Sequence, residues 1–410
     1  MRKNTRSYAV LAKPAGARCN LACRYCFYLE KNKLLNLSVA KMSFAVLESY
    51  IRQYIEIHGD VEIQFPWQGG EPTLCGLDFF REVVRLQKRY GRGRRISNTF
   101  QTNGILLDDA WAAFFARHGF LVGLSIDGPQ KLHDSCRMDH AGQPTFERVL
   151  AAMAVLKKHG VSFNTLTVIH RDNAAHGLEI YRFLKEQGDA FMQFIPLVER
   201  EKDAEKDEPA LDWAPPPFYG YPTLPRRVSP LSITPDAFAD FYIHVFDEWV
   251  RNDVGRVFVQ FIDAALGNVL GAPSGVCYYS AVCGHAAALE VNGDLYACDH
   301  YVYPEYRLGN IMETPMRQLL NTRKQRDFGE AKQFSLPVCC QTCDVLPLCH
   351  GGCPKNRFVL SKNGESGLNY LCAGYQQVFR HMQPALQRMA ALIRAGMPAS
   401  GIMTQAGRVK

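Results

Sequence analysis

No stretch of this 410-residue chain approaches the roughly 18 consecutive apolar residues that a membrane-spanning helix requires, so no such span is expected. The opening segment, Met1 to Gly16, lacks the apolar core and small-residue cleavage site of a secretory leader and is broken by Pro14. A cytoplasmic location follows as the expectation. Long runs of one charge are also missing. Lys and Arg are interspersed with acids, and a formal charge of +7 over this length does not describe a nucleic-acid surface. Core-forming residues are plentiful: 47% hydrophobic against 21% charged excludes wholesale disorder. The length exceeds that of a usual single domain, so one large catalytic domain with a smaller appended one is expected.

Cysteine is what the chain has in excess. Fourteen of them, with no secretory leader, point to metal binding or catalysis rather than to a disulfide framework. Cys75 and Cys136 stand alone and read as ordinary buried thiols. Cys19, Cys23 and Cys26, with three and two residues between them, can wrap one face of an iron–sulfur cluster or begin a zinc site. A structural zinc site wants a fourth protein ligand, and no His or Cys nearby in sequence completes it, although a distant one could. Three ligands on a four-iron core instead leave one iron open to bind and reduce a small molecule.

Around this group the chain alternates short β-rich runs with helical stretches. Tyr8 to Ala12, Val61 to Phe65, Ile96 to Gln101, Phe120 to Ile126, Val161 to Ile169 and Phe191 to Ile195 read as strands. Met42 to Ile57, Leu77 to Tyr90, Leu107 to His118, Phe146 to His159 and Gly177 to Gln187 read as the helices between them. This order requires parallel pairing through right-handed crossovers, and an α/β fold closing as a partial (β/α)6 TIM-like barrel is expected. In such folds the site lies at the carboxyl ends of the strands. The loops there are Pro14 to Cys26, Gly69-Gly70-Glu71, Thr102-Asn103-Gly104 and Asp127-Gly128-Pro129, and all four should face one cavity. Glu199 to Pro230, charged and then proline-rich, reads as a linker or surface loop. Helical character returns over Pro235 to Arg251 and Tyr375 to Ala395. The expected division is 1–230 for the barrel, 231–276 for a helical connection, 277–372 for a cysteine-rich domain and 373–410 for a closing helix and tail.

Glycines after the second strand permit close approach of backbone to a ligand, and Glu71 can accept bonds from an ammonium group, although an ordinary turn uses glycine too. Beside Cys-Asn-Leu-Ala-Cys-Arg-Tyr-Cys, from Cys19 to Cys26, this combination resembles the radical S-adenosylmethionine (SAM) superfamily. The resemblance implies a [4Fe–4S] cluster on Cys19, Cys23 and Cys26 whose fourth iron chelates the methionyl amine and carboxylate of SAM. It also implies Tyr25 beside the adenine, with Gly69, Gly70 and Glu71 at the methionine end. Gln101, Asn103, Ser125 and Asp127 are the expected walls of that pocket, each equally able to serve as a strand-end hydrogen bonder.

Eight further cysteines, Cys277, Cys283, Cys298, Cys340, Cys343, Cys349, Cys353 and Cys372, divide evenly into two four-ligand sites, with zinc as the chemical alternative to iron–sulfur. Spacing alone groups Cys340, Cys343, Cys349 and Cys353. The field resembles the SPASM extension of radical SAM enzymes that modify peptides and proteins, and that resemblance implies a crossed partition. Cys277, Cys283, Cys298 and Cys353 then hold the nearer auxiliary [4Fe–4S] cluster, and Cys340, Cys343, Cys349 and Cys372 the farther one. Cys339 adjoins Cys340 and makes the local assignment ambiguous. Three clusters bring the formal charge from +7 to about +2, so the basicity largely compensates the ligands.

Longer matches narrow the resemblance. Cys26-Phe27-Tyr28-Leu29-Glu30-Lys31, Trp67-Gln68-Gly69-Gly70-Glu71-Pro72-Thr73, Tyr296-Ala297-Cys298-Asp299-His300-Tyr301-Val302-Tyr303-Pro304 and His350-Gly351-Gly352-Cys353-Pro354-Lys355 resemble the anaerobic sulfatase-maturating enzymes. That family oxidises a cysteine or serine in an unfolded sulfatase segment, Cys/Ser-x-Pro/Ala-x-Arg, to Cα-formylglycine. The resemblance implies that a 5′-deoxyadenosyl radical takes a Cβ hydrogen atom, Asp299 takes the proton and the auxiliary clusters take an electron. A flavodoxin- or ferredoxin-type donor is the implied reductant. Tyr28, His300, Tyr301 and Tyr303 are expected either to wall the substrate peptide or to be core.

Two other readings stay open. One is a maturase forming thioether or carbon–carbon crosslinks in a ribosomal peptide; a separate N-terminal recognition domain is its mark, whereas here the cluster motif is reached by Cys19. The other is a non-enzymatic metal-bearing interaction module. Neither nucleic acid nor membrane is an expected partner.

Overall fold

The structure, a computed structural model, describes residues 8–35, 41–59, 62–188, 190–203, 211, 213–217 and 227–406. All six expected strands form, as β1 (Ala9–Ala12), β2 (Ile63–Trp67), β3 (Ile96–Thr102), β4 (Phe120–Ser125), β5 (Phe163–Ile169) and β6 (Phe191–Pro196). They pair in parallel and in chain order, with helices in every connection. Val61, expected to open the second strand, lies outside the described residues, as do 204–210, 212 and 218–226 of the expected linker.

Alternation along the strands sets what faces where. In β3 and β4 one face carries Asn98, Phe100, Thr102, Phe120, Val122 and Leu124, all buried, while Gln101 and Gly123 on the other face keep some exposure. Phe100 packs among Phe80, Trp111, Phe115 and Phe120 at centroid separations of 4.9 to 6.5 Å, so the helices are riveted to the outside of the sheet by aromatic burial. The inner face, with small and polar residues such as Gln101, Gly123 and Ser125, is left for a ligand. The helices begin where side-chain caps stand: Ser43 accepts from the Val46 amide and Asp108 from the Trp111 amide, which starts those helices at Phe44 and Asp109, two residues later than the sequence pattern suggests.

Four further strands were not foreseen. β7 (Phe258–Val259) extends β6; β8 (Ala286–Leu289) pairs in parallel with β1; β9 (Asp294–Tyr296) and β10 (Arg307–Asn310) follow antiparallel. Among the described residues the sheet order is β10-β9-β8-β1-β2-β3-β4-β5-β6-β7, so β1 and β6 do not meet and the barrel stays open. The three alanines of β8 favour helix by propensity, but buried against β1 they fit where larger side chains would not. Because Ala12 is level with Leu289, Lys13 and Glu290 leave the sheet as neighbours.

Past β10 regular structure is sparse until the helix Cys372–Arg394, which packs on the helix Pro235–Asn252. A Cβ at Gly374 would lie 2.4 Å from the Pro235 carbonyl oxygen, a contact only glycine allows. Among the described residues no helix is long and apolar enough to cross a membrane.

Candidate active site

The loop after β1 carries Cys19, Cys23 and Cys26 and is tied to the loop after β2. The Gly70 amide donates to the Gly16 carbonyl at 2.6 Å and the Glu71 amide to the Arg18 carbonyl at 2.8 Å. Gly69 has φ +133°, and a Cβ at Gly70 would stand 1.9 Å from the Arg18 oxygen, so the approach of the two loops requires both glycines. Glu71 is fully buried. Its Oε1 accepts from the Thr73 amide, the Thr73 hydroxyl and the Thr102 hydroxyl, and its Oε2 from the Asn103 amide at 2.8 Å. The carboxyl thus braces the second loop against the end of β3. Asn103 continues the brace, with Nδ2 2.7 Å from Asn20 Oδ1 and 3.6 Å from Cys19 Sγ.

Burial pushes the Cys23 thiol up to about 12 and the Cys19 thiol up to about 11, and raises Cys26. Thiolates form here only beside compensating positive charge, and a metal cluster supplies it. Among the described residues one group of three metal-ligating side chains has donor atoms within 4.8 Å of one another, Cys136, His170 and Asp172, apart from the eleven clustered cysteines.

Tyr25, within this loop, is held by groups the sequence reading did not connect. Its hydroxyl donates to Asp127 Oδ2, Arg137 Nε donates to the same oxygen at 2.9 Å, and the Val168 amide donates to Oδ1. Burial opposes ionisation of Asp127, yet Arg137, His133 and these bonds prevail and hold its carboxyl below the usual range. Asp127 therefore orients Tyr25 and Arg137. Leu197, Leu231 and Cys136 pack with Tyr25, alongside Cys23 and Val168. Ser125 is buried at the end of β4, and Gln101 stands level with Gly123 between β3 and β4.

The other eight cysteines fall into two neighbourhoods. Cys298 interacts electrostatically with Cys277, Cys353 and Cys283. Cys340, Cys343, Cys349 and Cys372 line one cavity with Tyr375 and Gln376. Cys339 is exposed and does not line that cavity. Lys332, fully buried, donates to the carbonyls of Cys277, Tyr278 and Ser280, which places a cation beside the first neighbourhood, as an anionic four-thiolate cluster requires.

Asp299 follows Cys298 and reaches back to the first half of the chain. Its Oδ1 pairs with Lys13 Nζ; the Lys13 side chain is 3% exposed and that of Asp299 24%. Burial works against ionisation of Asp299, but Lys13, His300 and the bonds from Lys13 and Gln68 outweigh it and hold the carboxyl below its usual range. Lys13 also stands 3.8 Å from the centroid of the Tyr28 ring, and the Tyr28 hydroxyl bonds to Glu290. Of the four expected peptide-wall residues, His300 and Tyr303 line a small cavity with Phe27, Glu199 and Lys355. Tyr301 packs in core with Tyr306 and Phe328, and Tyr28 with Tyr296 and Val302. Lys13, Arg137, Leu197 and Glu290 escaped the sequence reading. Only Lys13 left a trace, a lysine at the inner end of an apolar strand directly before the cysteine loop.

Residues 14–184 match the Radical SAM superfamily, and residues 281–344 match an iron–sulfur cluster-binding domain, SPASM. The serine-type anaerobic sulfatase-maturating enzyme of Bacteroides thetaiotaomicron is 42% identical over 381 residues, 93% of this chain and 90% of its own length. This chain belongs to the anaerobic sulfatase-maturating enzyme family. Among members of that family, the cysteine-type enzyme of Clostridium perfringens is 34% identical over 394 residues, covering 94% of this chain and 99% of its own. Native anSMEcpe with bound AdoMet and Cp18Cys peptide superposes with a TM-score of 0.81 at 32% identity, covering 94% of this chain and 99% of that one. As a sulfatase-maturating radical SAM protein the chain is an enzyme with SAM and iron–sulfur cofactors, which sets aside the non-enzymatic module.

Proposed function

We propose that this enzyme oxidises a cysteine or serine in an unfolded sulfatase segment, Cys/Ser-x-Pro/Ala-x-Arg, to Cα-formylglycine in the cytoplasm, with electrons from a flavodoxin- or ferredoxin-type protein. Three [4Fe–4S] clusters serve it, on Cys19, Cys23 and Cys26, on Cys277, Cys283, Cys298 and Cys353, and on Cys340, Cys343, Cys349 and Cys372. The functional division follows 1–230, 231–276, 277–372 and 373–410, with one sheet running across the first two boundaries. Bound at these sites, the cofactors supply the 5′-deoxyadenosyl radical that takes a hydrogen atom from the target Cβ, and an acceptor for the remaining electron.

The placement of the chain's own residues supports a role for each. Gly69 and Gly70 let the second loop close on the first and hold the methionine end of SAM, while Glu71 fixes those loops through its own four bonds. Tyr25, aimed by Asp127, packs on the adenine, with Gln101, Asn103 and Ser125 completing the wall. Asp299 takes the proton of the target thiol or hydroxyl. Hydrogen atom, proton and electron together make the two-electron oxidation; a serine target gives the aldehyde directly, and the thioaldehyde from a cysteine target takes up water and releases hydrogen sulfide to give it. The observation that carries this reading is the Asp299 carboxylate, part-exposed and paired with Lys13, whose main chain opens the cysteine loop. His300 and Tyr303 border the entering peptide; Tyr28 and Tyr301 shape it from behind.

The test is anaerobic incubation of the reconstituted enzyme with SAM, a reductant and peptides carrying Cys-x-Pro-x-Arg or Ser-x-Pro-x-Arg. An aldehyde at the target position, captured with a hydrazide tag and located by mass spectrometry, is expected. Deoxyadenosine with both peptides unchanged contradicts the assigned substrate.

A further inference from the structure

If Asp299 is the base, hydrogen atom and proton leave one side chain toward groups on different halves of the chain, and something must hold those halves in register. We infer that Lys13 is the positioning residue that does so, fixing the Asp299 carboxylate against the loops that follow β1 and β2. The inference rests on the reading of Asp299 given above.

Lys13 is anchored on three sides. Its amide donates to the Leu289 carbonyl at 2.9 Å, and its own carbonyl accepts from the Gly16 amide at 3.0 Å, three residues before Cys19. The loop after β2 presses on it, since a Cβ at Gly69 would lie 3.1 Å from Lys13 Cβ. The main chain is thereby fixed to the cysteine loop, the Gly69 loop and the end of β8 at once.

The side chain is as constrained as the main chain. Nζ pairs with Asp299 and lies 3.8 Å from the Tyr28 ring centroid, the distance of a cation over an aromatic face. Tyr28 is fixed in turn by Glu290, whose own carboxyl is 1% exposed. A lysine this buried, stacked on one ring and paired with one carboxylate, has few rotamers left, unlike a surface ion pair. Asp299 itself sits on a three-residue helical turn after Cys298, with no side-chain cap to steady it. Its aim is therefore set by the groups its carboxylate meets, Lys13 with its charge and Gln68 beside it, and productive proton removal depends on that aim.

The test uses cluster-loaded enzyme carrying Lys13→Met, which keeps the stem and removes the charge, and Lys13→Arg, which restores a charge. Iron content, deoxyadenosine and aldehyde are measured together, with kcat and KM for the peptide. Lys13→Met is expected to keep its iron and still form deoxyadenosine, while aldehyde formed per deoxyadenosine drops about 100-fold, in kcat rather than KM, and Lys13→Arg recovers at least about a tenth of it. Aldehyde per deoxyadenosine equal to wild type in Lys13→Met overturns the inference. So does a parallel loss of iron, deoxyadenosine and aldehyde in both variants, which marks a merely structural lysine. An Asp299→Asn control that oxidises peptide normally refutes the base assignment itself, separately from the role of Lys13.

Discussion

Around Cys19, Cys23 and Cys26 the proposed metal loop leans on six parallel strands whose outer face is filled by Phe100, Trp67, Phe80 and their neighbours. Around Cys277 to Cys372 the chain offers three short strands, several three- to five-residue helical turns and one longer helix, Arg323–Phe334. The first region supplies most of the main hydrophobic core. The second joins that core through residues such as Leu289, Leu295, Leu348 and Phe358 and adds a small satellite cluster with Tyr301, Tyr306 and Phe328, but it has little regular structure of its own. The difference teaches where precision comes from. In the first half, backbone fixed by the sheet places glycines and loops; in the second, the proposed ligation and buried side chains such as Lys332, bonded to the carbonyls of Cys277, Tyr278 and Ser280, do the placing.

Three perturbations break or sharpen that contrast, the largest first. Cys23→Ala is expected to abolish deoxyadenosine formation altogether while the far-ultraviolet circular dichroism stays that of the wild type, because the sheet does not depend on this thiol. Asp299→Asn is expected to retain all iron, roughly twelve atoms per chain, and to lower peptide oxidation by about 10²- to 10⁴-fold with deoxyadenosine still formed. Loss of clusters in Asp299→Asn would instead mean that the second half needs this carboxylate to fold. Removing iron with an anaerobic chelator should leave amide protons of β2 to β5 protected in hydrogen exchange while the segment from Cys277 to Cys372 loses protection. Equal loss in both regions contradicts the contrast.

The same contrast explains what was legible in the sequence. The six parallel strands announce themselves by β-branched and aromatic runs set between helical stretches. The alanines of β8 carry no such signal, and only their pairing with β1 makes them a strand. The first cysteine loop is readable because its ligands are close in sequence. The grouping of the later eight is not, since Cys353 sits in the dense run yet interacts with Cys277 and Cys283. Polar residues at strand ends were found by position, but their partners were not. Asp127, read as a pocket wall or a strand-end hydrogen bonder, bonds Tyr25 and Arg137, and Glu71, read as a partner for an ammonium group, makes four bonds to the protein. Lys13 and Asp299 lie far apart in the chain, and no local pattern joins them.

The central claim is that the open site on Cys19, Cys23 and Cys26 and the Asp299 carboxylate act on one peptide side chain. The most direct measurement uses a target peptide deuterated at the reacting Cβ, followed by mass analysis of the deoxyadenosine. The account predicts deuterium in the deoxyadenosine, in proportion to aldehyde formed. Aldehyde formed without any deuterium in deoxyadenosine would contradict it.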